Sequence, residues 1–206
     1  MKLVIIGAHL HREDIEPLAA AVAAGDVWLS GIEVAGDQPL GDRDLLLRVA
    51  RTRAELLDRA TFIAIRYGFA SADPAAKCAP HAARWRRLLE EHREHVEMTL
   101  KVAAASPQPR PDRHAFASGA DYLRALHASN ASIDPRFRDA VDARIPVLAR
   151  RWTPRDNASV EMAALVRRAD VATVFDAGAA LKREFPDVPF LLSGPWPLEV
   201  FADADQ

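Results

Sequence analysis

A single cysteine, Cys78, stands among the 206 residues. No intrachain disulfide can therefore staple the fold, and a cysteine-based zinc site would lack its ligands. No apolar run approaches the roughly 18 residues that a membrane helix needs. Leu3-Val4-Ile5-Ile6 is also too short for the core of a secretion signal, and His11-Arg12-Glu13-Asp14 follows it closely. These absences predict a soluble, cytoplasmic chain with a reduced thiol. An excess of one charge is missing too. Lys plus Arg is 27 and Asp plus Glu is 29, a net charge of −2, which supplies no long-range field for nucleic acid or an anionic membrane. Glycine occurs only nine times, and no Gly-x-Gly-x-x-Gly, Walker loop or Gly-x-Ser-x-Gly elbow follows a strand pattern. The usual phosphate cradles and serine nucleophiles are thereby excluded.

What is present is a globular composition, 50% hydrophobic and 27% charged, long enough for one large domain or two small ones. Leu3 to Ile6 reads as a buried strand. Pro17 to Ala24, alanine-rich and closed by Gly25, predicts a short helix. Asp26 to Val34 predicts a strand, with a turn over Gly36 to Gly41. Leu46, Val49, Ala50 and Leu57 recur at helical spacing, and Thr61 to Ile65 is a β-branched and aromatic run, as in a buried strand. A helix after Asp73-Pro74 carries Trp85, Leu88, Leu89, His92 and Val96 on one face. From Glu97 the period changes to two, with Met98, Leu100 and Val102 inward and Glu97, Thr99 and Lys101 solvated.

Ser106-Pro107-Gln108-Pro109-Arg110-Pro111 cannot continue that strand inside a sheet. Residues 1–105 are accordingly expected to form one domain, 106–117 a proline-rich connection, and 118–206 a second α+β domain. In the second, Ser118 caps a helix that buries Tyr122, Leu123 and Leu126, and Asp134-Pro135 starts another that Pro146 ends or kinks. Val160 to Val166 predicts a strand, Asp170 to Phe185 a helix and Val188 to Leu192 a last strand. Helices and separated strands in each half define an α+β class.

Residues able to carry chemistry are scattered. His9, His11 and Glu13 lie close enough in sequence to hold zinc or manganese in a metal-dependent hydrolase, against the plainer reading of a polar loop. His92 and His95 straddle a helix-to-strand change, and helix C-termini favour histidine without any catalytic role. Cys78 near His81 lacks a third group that would activate a thiol. Arg84, Arg86 and Arg87 suggest a ligand- or nucleic-acid-sensing face, but Glu90, Glu91 and Glu94 lie at pairing distance. The Arg150-Arg151-Trp152 string is a second basic cluster. At Ser193-Gly194-Pro195-Trp196-Pro197 two prolines fix the chain on either side of a tryptophan and force it out of any sheet. Trp196 there reads either as a core plug, which composition favours, or as a contact anchor.

That terminal string, with Phe201 after it, resembles the carboxyl-end signature of the gas vesicle protein family GvpL/GvpF. Phe62-Ile63-Ala64-Ile65-Arg66-Tyr67-Gly68 is similar to the family's apolar strand ending in Arg-aromatic-Gly. Val96-Glu97-Met98-Thr99-Leu100-Lys101-Val102 is similar to its glutamate-to-lysine strand, and Ser118-Gly119-Ala120-Asp121-Tyr122-Leu123 to its Ser-Gly-x-x-Tyr-Leu helix start. Asn157 to Val166 fits the strand before the last helix. The chain departs from the pattern at Leu198-Glu199-Val200, where the family has a further proline and an aromatic. The resemblance implies a ferredoxin-like amino-terminal module and a smaller helical and β carboxyl-terminal module. It also implies a non-enzymatic, cofactor-free role in gas vesicle assembly, with the apolar shell protein GvpA and other accessory proteins as partners. Arg66, Tyr67, Trp196 and Phe201 are the expected partner-binding residues.

Overall fold

The computed structural model describes residues 1–103, 112–130, 133–155 and 159–202, with side chains for all but 125–130. Of the expected proline-rich connection, 106–111 fall outside that set, as does Leu126 among the residues expected to be buried. The chain forms two compact units, Met1–Val96 together with Trp196 onward, and Glu97–Pro195. This division differs from the expected one at both ends. Glu97 to Ala103 goes with the second unit because Met98, Leu100 and Val102 insert into its core, and the terminal segment goes with the first because Leu198 bonds to its sheet.

In the first unit, β1 (Lys2–His9) pairs antiparallel with β3 (Val27–Val34), which pairs antiparallel with β2 (Ala20–Ala24). After α1 (Arg43–Arg59), the two-residue β4 (Ile63–Ala64) returns to the far side of β1, and β5 (Ala70–Ser71) also pairs with β1. The order β2-β3-β1-β4 interleaves two crossovers. β1 and β2 run parallel with β3 between them, while β3 and β4 run parallel with β1 between them. That is the split arrangement of a ferredoxin-like sheet, with one departure: the first crossover holds only a 3-10 turn at Arg12–Asp14. The helix expected over Pro17 to Ala24 is instead mostly β2. Alanine's helical preference is a weak prior, and pairing with β3 overrides it. Gly25, at φ 58°, supplies the positive dihedral for the two-residue turn into β3.

Both helices of this unit begin on aspartate caps. Asp42 Oδ1 accepts from the Leu45 amide at 2.9 Å, and Asp73 Oδ1 accepts from the Ala76 amide at 3.1 Å. α1 buries Leu45, Val49, Leu56 and Leu57, while α2 (Pro74–Glu91) buries Pro74, Cys78, Ala82 and Leu89. Trp85 and Leu88 are half-buried, and Val96 belongs to the strand that follows.

The second unit is built on β6 (His95–Ala103), α3 (Gly119–Asn130), α4 (Pro135–Arg144), β7 (Ala149–Arg155), β8 (Ser159–Arg167), α5 (Val171–Glu184) and β9 (Phe190–Trp196). Its sheet has the order β7-β8-β6-β9. Met98, Leu100 and Val102 of β6 join Met162, Ala164 and Val166 of β8 against Phe137 and Val141 of α4 and Val174 and Leu181 of α5. Phe137 meets Phe185 edge-on at 5.3 Å and Phe190 at 5.2 Å. Three local expectations need correction. Glu97 is buried and Thr99 half-buried, leaving Lys101 as the exposed member of that row. Leu123 is 55% exposed rather than buried. The terminal prolines do not expel the chain from the sheet, since β9 runs on to Trp196. As an edge strand it has no further neighbour requiring the amide that Pro195 lacks. Gly194, at φ 133°, lies so close to β6 that a Cβ would stand 2.6 Å from Met98 Sδ.

Leu198 is 1% exposed. Leu198→Ala is expected to lower the stability of the first unit by about 2–5 kcal/mol, read by urea unfolding, with faster exchange of the Ala64 amide.

Candidate functional site

β4 is too short to hold a sheet edge unaided, and the terminal segment completes it. The Leu198 amide donates to Phe62 O at 2.9 Å and Leu198 O accepts from the Ala64 amide at 2.8 Å, forming a parallel bridge opposite Ile63. Two arginines fasten the flanks. Arg53 of α1 donates to Ile65 O at 2.9 Å, and Arg84 of α2 donates to Ala202 O. Burial lowers the Arg53 pKa from its usual value, with the opposing attraction of Glu199 helping to keep it charged. Pro197, Leu198 and Ala202 are buried along this seam.

The residues expected to bind a partner are placed unevenly. Trp196 is 47% exposed, so it is not the core plug that composition favours. Phe201 is half-buried and Arg66 is exposed. Tyr67 is half-buried, and its hydroxyl donates to Leu40 O, tying the strand end to the turn before α1. The seam joins the segments that carry the two groups at Leu198 opposite Ile63, with Arg66 and Tyr67 following Ile65 on one segment and Trp196 and Phe201 flanking Leu198 on the other. Arg53, Arg84 and Leu198 were not legible as part of this region. The one local signal was Leu198-Glu199, a buried leucine followed by a charge that faces Arg53.

The metal-hydrolase reading loses its ligands. His9 is fully buried, its Nε2 2.9 Å from Ser30 Oγ, which donates to Gly7 O at 3.4 Å. Its ring stacks on Phe62 at 4.8 Å, while His11 and Glu13 are exposed. Among the described residues no three His, Cys, Asp or Glu side chains converge on a metal position. His92 and His95 meet ring edge to ring face at 5.6 Å. Burial raises the Cys78 pKa, away from thiolate, and His81 stacks on Trp85 at 5.3 Å. In the basic trio Arg84 holds Ala202 and Arg86 pairs with Glu90 at 2.8 Å. In the second basic string Arg150 pairs with Asp142, while Arg138 lies over the Trp152 ring at 5.3 Å. Among the described residues no helix is long and apolar enough to cross a membrane.

The fold is that of a two-unit α+β protein. Its fold is similar over the full chain to that of gas vesicle proteins. The crystal structure of the gas vesicle protein GvpF from Anabaena sp. PCC7120 aligns with a TM-score of 0.72 at 12% identity, covering 100% of this chain and 97% of that one. The crystal structure of gas vesicle protein GvpF from Microcystis aeruginosa aligns with a TM-score of 0.68 at 11% identity, covering 94% and 95%. No protein family model and no curated protein matches the sequence.

Burial holds His9 neutral, its pKa lowered from 6.5 to about 3. Below pH 6.5 the unfolded chain takes up a proton that the folded chain refuses. Stability from this group is therefore complete above pH 6.5 and falls toward pH 3, by up to about 1.4 kcal/mol per pH unit. Urea unfolding at a series of pH values is expected to show this one-proton slope in the native protein and its loss in His9→Phe.

Proposed function

We propose that this chain is an accessory component of gas vesicle assembly that works by binding, in the cytoplasm and at the vesicle. Its partners in this reading are the apolar shell protein GvpA and other accessory proteins, and it uses no cofactor and makes or breaks no covalent bond. The observation that carries the proposal is the full-length likeness to two GvpF structures at TM-scores of 0.72 and 0.68. A shell subunit with large apolar surfaces must be kept from aggregating before it joins a wall, a task for a protein presenting apolar anchors in a polar rim.

Trp196 suits the anchor role. It is half-exposed, Pro195 and Pro197 restrict the chain on both sides, and Leu198 pins the following residue to β4. An aromatic held this way loses little conformational freedom on binding. Phe201 adds apolar surface nearby, and Arg66 and Tyr67 follow on the segment that Leu198 joins.

Co-purification with GvpA tests the proposal. Trp196→Ala is expected to weaken capture by about tenfold or more while leaving the thermal midpoint close to that of the native chain. Leu191→Ala, which removes a residue 64% exposed elsewhere on β9, is expected to leave capture unchanged. Undiminished capture by Trp196→Ala would remove this anchor, and turnover of a substrate by the native protein would end the proposal.

A further inference from the structure

The two sheets have four edges; the two-residue β4 and β5 share one, and β2, β7 and β9 end the other three. β4 is covered by the bonds to Leu198. β7 carries Pro154 with Arg150, Arg151 and Arg155, and β9 carries Gly194 and Pro195. Charge and proline on an edge are the common means of refusing another strand. β2 has neither. Its sequence is Ala20-Ala21-Val22-Ala23-Ala24, it ends the order β2-β3-β1-β4, and the uncharged stretch around it runs from Pro17 to Gly25.

The register with β3 fixes which of its backbone groups face outward. Ala24 pairs with Val27 across the two-residue turn Gly25-Asp26, and the pair flanking such a turn exchanges both hydrogen bonds. Alternation then directs the groups of Ala20, Val22 and Ala24 toward β3 and those of Ala21 and Ala23 away from it. The Ala19 amide, next outward along the strand, already donates to Ile15 O at 3.3 Å. The open edge thus offers two donors and two acceptors, all from Ala21 and Ala23.

This set is self-complementary. The strand reads the same in both directions about Val22, so a second copy laid antiparallel on a two-fold axis pairs Ala21 with the other chain's Ala23, Ala23 with the other chain's Ala21, and Val22 with Val22. The two alanine pairs are the hydrogen-bonded ones and the valine pair at the axis is the non-bonded one, as antiparallel alternation requires. No like charges meet across the pair. Ala20 and Val22 also line a groove of about 300 Å3 whose other walls include Leu3 and Pro74 together with Lys2, Glu33 and Asp73. We infer that β2 is a self-association edge, joining two copies of this chain through their first sheets. A strand of five residues covers less than the roughly 800 Å2 per partner of a stable complex, so the pairing is reversible and concentration-dependent. It does not rest on the proposed function.

Sedimentation equilibrium of the full chain over a wide concentration range tests it. The native protein is expected to approach the mass of two copies as concentration rises. Ala21→Glu with Ala23→Glu sets glutamate against glutamate at both bonded pairs and is expected to weaken association by about tenfold or more. Ala21→Lys with Ala23→Glu sets lysine against glutamate and is expected to restore it. Amide exchange of the native chain gives a second reading that needs no variant: Ala21 and Ala23 should gain protection with concentration. A single-copy mass throughout, association indifferent to the glutamate pairs, or protection of those two amides only on adding a different protein would each overturn the inference.

Discussion

Two backbone hydrogen bonds to Leu198 decide what the end of the chain can do. β4 spans only Ile63 and Ala64, and Phe62 beside it is one of the largest fully buried side chains, stacked on His9. Without a neighbour, the outer groups of Phe62 and Ala64 would lack partners at the margin of an apolar core, where an unmade hydrogen bond costs more than a made one contributes. Leu198 supplies both bonds and covers the seam with its side chain. Arg53 and Arg84 then hold backbone carbonyls to either side. Trp196 is held from both sides, since it ends β9 and stands two residues before the fixed point at Leu198.

The strongly periodic parts of the fold were legible. The helical spacing of Leu46, Val49, Ala50 and Leu57 marks α1, the cap at Asp134-Pro135 announces α4, and the alternation of Met98, Leu100 and Val102 marks β6. Where the reading failed, tertiary pairing outweighed local preference. Ala20 to Ala24 carries helix-forming residues, but β3 offers it a full register. β7 holds only one large apolar residue, Trp152, because its arginines turn to Asp142 and Glu161, so no period-two hydrophobic signal exists to read. The strand end at Gly194-Pro195 was hidden for the opposite reason: proline forbids a central strand and tolerates an edge, and sequence alone does not say which strand is the edge.

The candidate site was half legible. Trp196 between two prolines is conspicuous in one dimension, and so is the Arg66-Tyr67-Gly68 strand end. The joining of their two segments is not, because it depends on Leu198 reaching back past more than a hundred residues to Phe62. His9 shows the same limit from the other side. Beside His11 and Glu13 it looks like a ligand, yet His9 is the last residue of β1 and packs against Ser30 and Phe62, while the chain beyond it leaves the sheet and exposes His11 and Glu13. Proximity in sequence here separates residues, and distance joins them.

A protein with open sheets must limit which strands can add to them, and the sheet edges record how. Proline and arginine at β7 and proline at β9 remove or repel the bonds that a stray strand would make, and Leu198 occupies β4. The guards at β7 and β9 use residue types that the core cannot accommodate, and both stand where the sequence looked least like a strand. β2 follows the contrary rule: its residues are small, uncharged and symmetric about Val22, and two of them hold backbone groups open to another strand. Alanine there makes a poor contribution to the core, and helix formation, its usual use, is absent. The composition of β2 is best explained by what can approach it from outside.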